Sequence, residues 1–78
     1  MNGTSADDLL SQLKAASRAL QDAYKALQQA APNGRDYYTL GSGAIKRASD
    51  EHRSRLERID SVKREIDEIA VHVYAQKR

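Results

Sequence analysis

The chain has 78 residues, 13 basic and 11 acidic side chains for a net charge of +2, and no cysteine, tryptophan or phenylalanine. That length holds one domain at most, and one whose core is small for its surface. It excludes disulfide staples and thiolate metal sites. With 40% apolar and 31% charged residues, one proline and four glycines, the composition is that of a helical domain, not a disordered chain.

The first element is predicted over residues 6–31. Leu9, Leu13, Ala16, Leu20, Ala23, Leu27 and Ala30 recur at spacings of three and four, which draws an apolar stripe along one helix face. Ser5 suits the N-cap, and Asp7 and Asp8 follow at the positive helix end. Pro32, Asn33 and Gly34 stop the helix.

Residues 35–46 read as a short two-stranded antiparallel hairpin or a loop. Tyr37, Tyr38, Thr39 and Leu40 favour a strand, Gly41-Ser42-Gly43 permits a tight turn, and Ala44-Ile45-Lys46 would return. In the competing reading the second helix begins with Ser42 as its cap, and Ile45, Ala48 and His52 lengthen its apolar stripe. An isolated hairpin is marginal in water, so it would have to pack on the helices.

The last element is predicted over residues 49–75, with Ser49 as N-cap. Leu56, Ile59, Val62, Ile66, Ile69 and Val73 form its stripe, and Asp60–Arg64 and Lys63–Asp67 are spaced for ion pairs. The predicted fold class is therefore α+β and mainly helical, helix–hairpin–helix, in one domain over residues 1–78. The alternative is an all-α antiparallel helical hairpin. Two helices of this length cannot shield every apolar position, which leaves Tyr24, Val71, Val73 and Tyr74 as candidates to face outward.

No motif for catalysis or for a cofactor is present: the sequence has no phosphate loop and no His-Glu-x-x-His. Asp50, Glu51 and His52 are adjacent, so they diverge around a helix instead of converging on a metal. Apolar runs are too short to span a membrane. The first residues lack the basic and apolar regions of a signal peptide, so synthesis in the cytoplasm is expected.

Lys46, Arg47, Arg53, Arg55 and Arg58 cluster near the start of the second helix, against Asp50, Glu51 and Glu57. The mixed signs fit a contact with an acidic protein rim at least as well as one with nucleic acid. Tyrosine and arginine are common in interfaces. Tyr37, Tyr38, Arg47, Arg53, Arg55, Arg58 and Tyr74 are accordingly the candidate partner contacts.

A helix, a hairpin carrying Tyr38-Thr39-Leu40-Gly41, the step Lys46-Arg47-Ala48, and a charged helix with Leu56 and Ile59 together resemble the small tailed-phage head-to-tail joining proteins of the lambda W type. The resemblance spans residues 6–70, and its specific part is residues 38–48. It implies a helix–hairpin–helix fold and a virion neck protein, made in the host cytoplasm. Such a protein would form a ring on the portal, contact neck or tail proteins, and lie close to packaged DNA. The alternative reading is a small helical-bundle protein that binds nucleic acid or acts as an antitoxin-like regulator. Both readings expect no membrane, no small-molecule substrate and no enzymatic activity.

Overall fold

The computed structural model describes residues 5–33, 41 and 43–76. Two helices make up the fold: α1, Ala6–Gln29, and α2, Ala44–Gln76. Ser5 caps α1 as expected, its Oγ accepting from the Asp8 N–H at 3.1 Å. At the other end the N–H of Ala30 donates to the Leu27 carbonyl at 3.0 Å and that of Ala31 to Gln28 at 3.3 Å, just ahead of Pro32.

The α+β expectation is corrected by α2. Ala44, Ile45 and Lys46, assigned to the returning strand, form its first turn, and the described residues contain no β-strand. Residues 35–40 and 42 of the expected hairpin lie outside the described residues. Gly41 turns the chain into the helix with φ +99°, a conformation that strains any residue with a Cβ. Its carbonyl accepts from the Ala44 N–H at 3.2 Å. Ser49 is consequently not a cap but an interior helical residue. The physical reason is burial: Ile45, Ser49 and His52 continue the inward repeat of Leu56 and Ile59, which outweighs the strand character read from the preceding residues.

The helices run antiparallel. Ser17 Oγ donates to Asp67 Oδ1 at 2.6 Å, and Asp7 and Leu10 line one hollow with Val71 and Tyr74. Residues whose numbers total about 84 therefore lie at one level. Gln21, Ala44, Ala48, Asp60 and Asp67 are half-buried beside the seam, and the other half-buried helix positions follow a strict seven-residue repeat, with letters a and d on the seam. In α1 these are Leu10, Leu13, Ser17, Leu20, Tyr24 and Leu27. In α2 they are Ile45, Ser49, His52, Leu56, Ile59, Lys63, Ile66, Ala70 and Val73, all half-buried except the buried His52. Spacings of three and four in strict alternation define an antiparallel coiled-coil hairpin.

The α1 stripe thus turns by one position from the expected one. Leu13, Leu20 and Leu27 face α2, but their companions are Leu10, Ser17 and Tyr24. Leu9, Ala16, Ala23 and Ala30 stay exposed. Of the four residues expected outside, Val71 and Tyr74 are exposed, whereas Tyr24 and Val73 sit on the half-buried seam.

His52 is the most covered described residue, 8% exposed, and its Nε2 has no hydrogen-bond partner. It lies at the level of Ala31 and Pro32, where α2 runs on past the end of α1. An unpaired buried nitrogen opposes folding by roughly 1–3 kcal/mol. His52→Leu is therefore expected to raise the unfolding free energy by about 1 kcal/mol, read in a urea titration. A loss of stability would show that the imidazole is needed there.

Candidate interaction surface

The hairpin has two unlike flanks. Because the helices are antiparallel, the same heptad letter lies on the same side of both. The e flank is polar over most of its length, with Lys14, Gln21 and Gln28 on α1 and Lys46, Arg53, Asp60 and Asp67 on α2, and ends in an apolar hollow of Leu10, Ala70, Val71 and Tyr74. Lys14, Ser17 and Gln21 border one hollow there with Lys63 and Asp67.

One polar set crosses the seam on this side. Lys63 Nζ donates to Asp67 Oδ2 at 2.8 Å, while Ser17 donates to the other oxygen of the same carboxylate at 2.6 Å. The Lys63 hydrogen bond, then the Ser17 hydroxyl, hold Asp67 below its usual value of 3.8, against a smaller opposing effect of burial. A depressed carboxylate stabilises the fold above its unfolded value, and that contribution is lost as the pH falls through the folded value. Melting temperature should therefore drop on acidification below about pH 4. The Asp67-dependent part of that drop should shrink in Ser17→Ala; an unchanged acid response would remove Ser17 from the account.

The g flank is different. Leu9, Ala16, Ala23 and Ala30 line it on α1, and Ala48, Arg55, Val62, Ile69 and Gln76 on α2. Val62 and Ile69 are 46% and 47% exposed and Leu9 is 37% exposed. Arg55 is the one charge on these positions. Ala19 and Ala26 widen the apolar strip on α1, one turn further round.

The expected contact residues do not form one surface. Arg47, Arg53, Arg55 and Arg58 are all exposed; at positions f, g and c, Arg47, Arg55 and Arg58 share one outer side of α2, and Arg53, at e, lies on the other. Arg53 shares Asp50 with Lys46, at 3.6 and 3.0 Å, and Arg58 Nε donates to the Ser54 carbonyl at 3.3 Å. Tyr74 is 68% exposed at the opposite end of the hairpin, about 24 Å from Arg58 along the helix. Tyr37 and Tyr38 lie outside the described residues. Sequence reasoning missed the g flank of α1; its signal was the run of alanines beside the leucines, which had been assigned to the seam itself.

The described residues contain no group of three or more His, Cys, Asp or Glu side chains able to hold a metal ion. No described helix is long and apolar enough to cross a membrane. The fold and its flanks define a two-helix coiled-coil hairpin with an unfinished apolar side. Comparison with family models, curated proteins and solved structures gave no match to this chain.

Proposed function

We propose that the chain is a small regulatory helical-bundle protein, antitoxin-like or adaptor-like in its manner of action, that works by docking its helices against other helices. The observation that carries this reading is that the described residues include no buried apolar side chain. The chain exposes 6169 Å², where a compact protein of 8.7 kDa exposes about 4,700 Å². Its radius of gyration is 18.3 Å, against about 12 Å for a compact chain of this length. The helices are formed, but the core that would hold them is supplied only when other helices cover the apolar side.

The acids interspersed among the clustered arginines, Asp50, Glu51 and Glu57, favour a protein partner over nucleic acid, since a phosphate backbone is met by a clear excess of cations. A head-to-tail joining subunit would use the same docking principle, with portal and tail proteins as its partners in the virion. The hairpin behind that resemblance is helical at residues 44–46, however, so the two-helix architecture supports the regulatory reading better.

The test is circular dichroism of the dilute chain, at about 1 μM, in a sample whose sedimentation shows it to be monomeric. The reading expects weak helicity and a shallow, poorly cooperative melt. A fully helical chain with a sharp melt at that dilution would contradict it.

A further inference from the structure

We infer that the e side of the hairpin docks an acidic amphipathic helix of a partner protein. That helix seats an apolar residue in the hollow at the open end and lays its carboxylates along a row of cations on α1. The inference rests on the docking reading above and names the chemistry of the partner.

The row is the first argument. Lys14, Arg18 and Lys25 are exposed. They fall within about 40° of one another around α1, over about 16 Å of its length. No acidic residue shares that arc between Ser11 and Gln28, and Asp22 lies at its edge. The salt bridges of the described residues all lie within α2, where Asp50, Asp60 and Asp67 take up Lys46, Arg53, Arg64 and Lys63. None of them engages Lys14, Arg18 or Lys25. Lys14 and Arg18 stand at i and i+4, where like charges oppose the helix. An acidic surface laid on this row would reverse that repulsion.

The hollow is the second argument. Leu10, Ala70, Val71 and Tyr74 line it, with Asp7, Ser11 and Lys14 around them. Val71 and Tyr74 are each 68% exposed. Lys14 and Arg18 also border the neighbouring hollow of Ser17, Lys63 and Asp67. There Ser17 and Lys63 occupy both oxygens of the carboxylate, so the unmatched charge is positive. The apolar seat and the cationic row thus meet at Lys14. An apolar centre with a polar rim is the anatomy of a protein interface.

Spacing selects a helix. The cations recur at four and seven residues, so a second helix lying alongside α1 meets all three with carboxylates at the same spacing. Such a helix is about 10 Å across and fits along α1 alone. A nucleic-acid duplex carries charge every few ångströms and would also come against Glu57 and Asp60, on the same side of α2.

The test is fluorescence anisotropy with a labelled alanine-based peptide that carries a leucine and, about four, eight and fifteen residues further on, glutamates. The intact chain should bind it, with affinity falling about tenfold between about 0.05 and 0.5 M salt. Lys14→Glu/Arg18→Glu should lose this peptide and bind the same peptide with lysines in place of the glutamates. A misfolded chain could not make that exchange. Tyr74→Ala should weaken binding about tenfold at both salt concentrations, since it removes the apolar seat.

Equal binding of the two peptides by the unmodified chain would overturn the inference. So would tighter binding of a short DNA duplex at about 0.15 M salt, which would make nucleic acid the partner. No peptide binding by a chain that is weakly helical when dilute would overturn the acidic partner but leave helix docking in place. Binding of the glutamate peptide by a chain that melts sharply when dilute would overturn the docking reading but keep this surface.

Discussion

Ile59→Asp should abolish folding. Ile59 is a half-buried seam residue at the level of Tyr24, about one turn inside the end of the stretch where α1 and α2 overlap. The variant loses the transfer free energy of the isoleucine and brings a carboxylate onto an apolar seam, a combined loss of about 4 kcal/mol. A core this small supplies only about 3 kcal/mol to begin with. Far-ultraviolet circular dichroism should fall to that of an unfolded chain. Glu57→Ala, two residues away and exposed, should leave the spectrum unchanged. A folded Ile59→Asp protein would show that the seam is not where the helices are held.

Lys63→Leu should act in the opposite direction. Lys63 occupies an a position with its side chain 26% exposed, so its stem already lies on the seam and its ammonium leans out to Asp67. Leucine would keep the apolar stem and bury more of it, for a gain of about 1.5 kcal/mol. Asp67 would retain the Ser17 hydroxyl and its access to water, so the change strands no buried charge. The melting temperature should rise by roughly 6–12 °C. A polar a position also fixes register and strand number in coiled coils at a cost in stability. The same variant should therefore populate higher oligomers in light scattering. A fall in melting temperature would mean that the Lys63–Asp67 pair contributes more than the apolar contact replacing it.

Much of this fold was legible in the sequence, and the illegible parts have physical causes. Ser5 was readable because a cap is a local device; so were Asp60–Arg64 and Lys63–Asp67, now seen at 3.1 and 2.8 Å. The rotation of α1 was not, because Leu9 and Leu10 are adjacent and alanines lie on both sides of the leucine row. A stripe read from Leu9 fits three- and four-residue spacing as well as one read from Leu10. Only the partner helix decides between them. Ser17 and Lys63 escaped the sequence reading of the seam because hydropathy assigns polar residues to the outside, and His52 entered the stripe only in the competing reading; each is tolerated on the seam for its own reason. Ser17 and Lys63 meet at Asp67, and His52 lies beyond the end of α1. The start of α2 was misplaced because tyrosine, threonine and glycine signal strands and turns locally, while the heptad through Ile45, Ser49 and His52 contains two polar residues and is visible only in register with Leu56. The arginine cluster was legible as charge but not as a surface, since only the heptad register separates Arg53 from Arg47, Arg55 and Arg58.

The central claim is that this hairpin becomes a stable protein only when other helices cover its g flank. Amide hydrogen exchange of the intact chain, compared at about 5 μM and about 500 μM, tests it most directly. The account predicts that protection along both helices rises with concentration, most steeply around Ala16, Ala23, Val62 and Ile69. Protection that is high and the same at both concentrations, in a chain that sediments as a monomer at both, would contradict it, because the hairpin would then be holding itself.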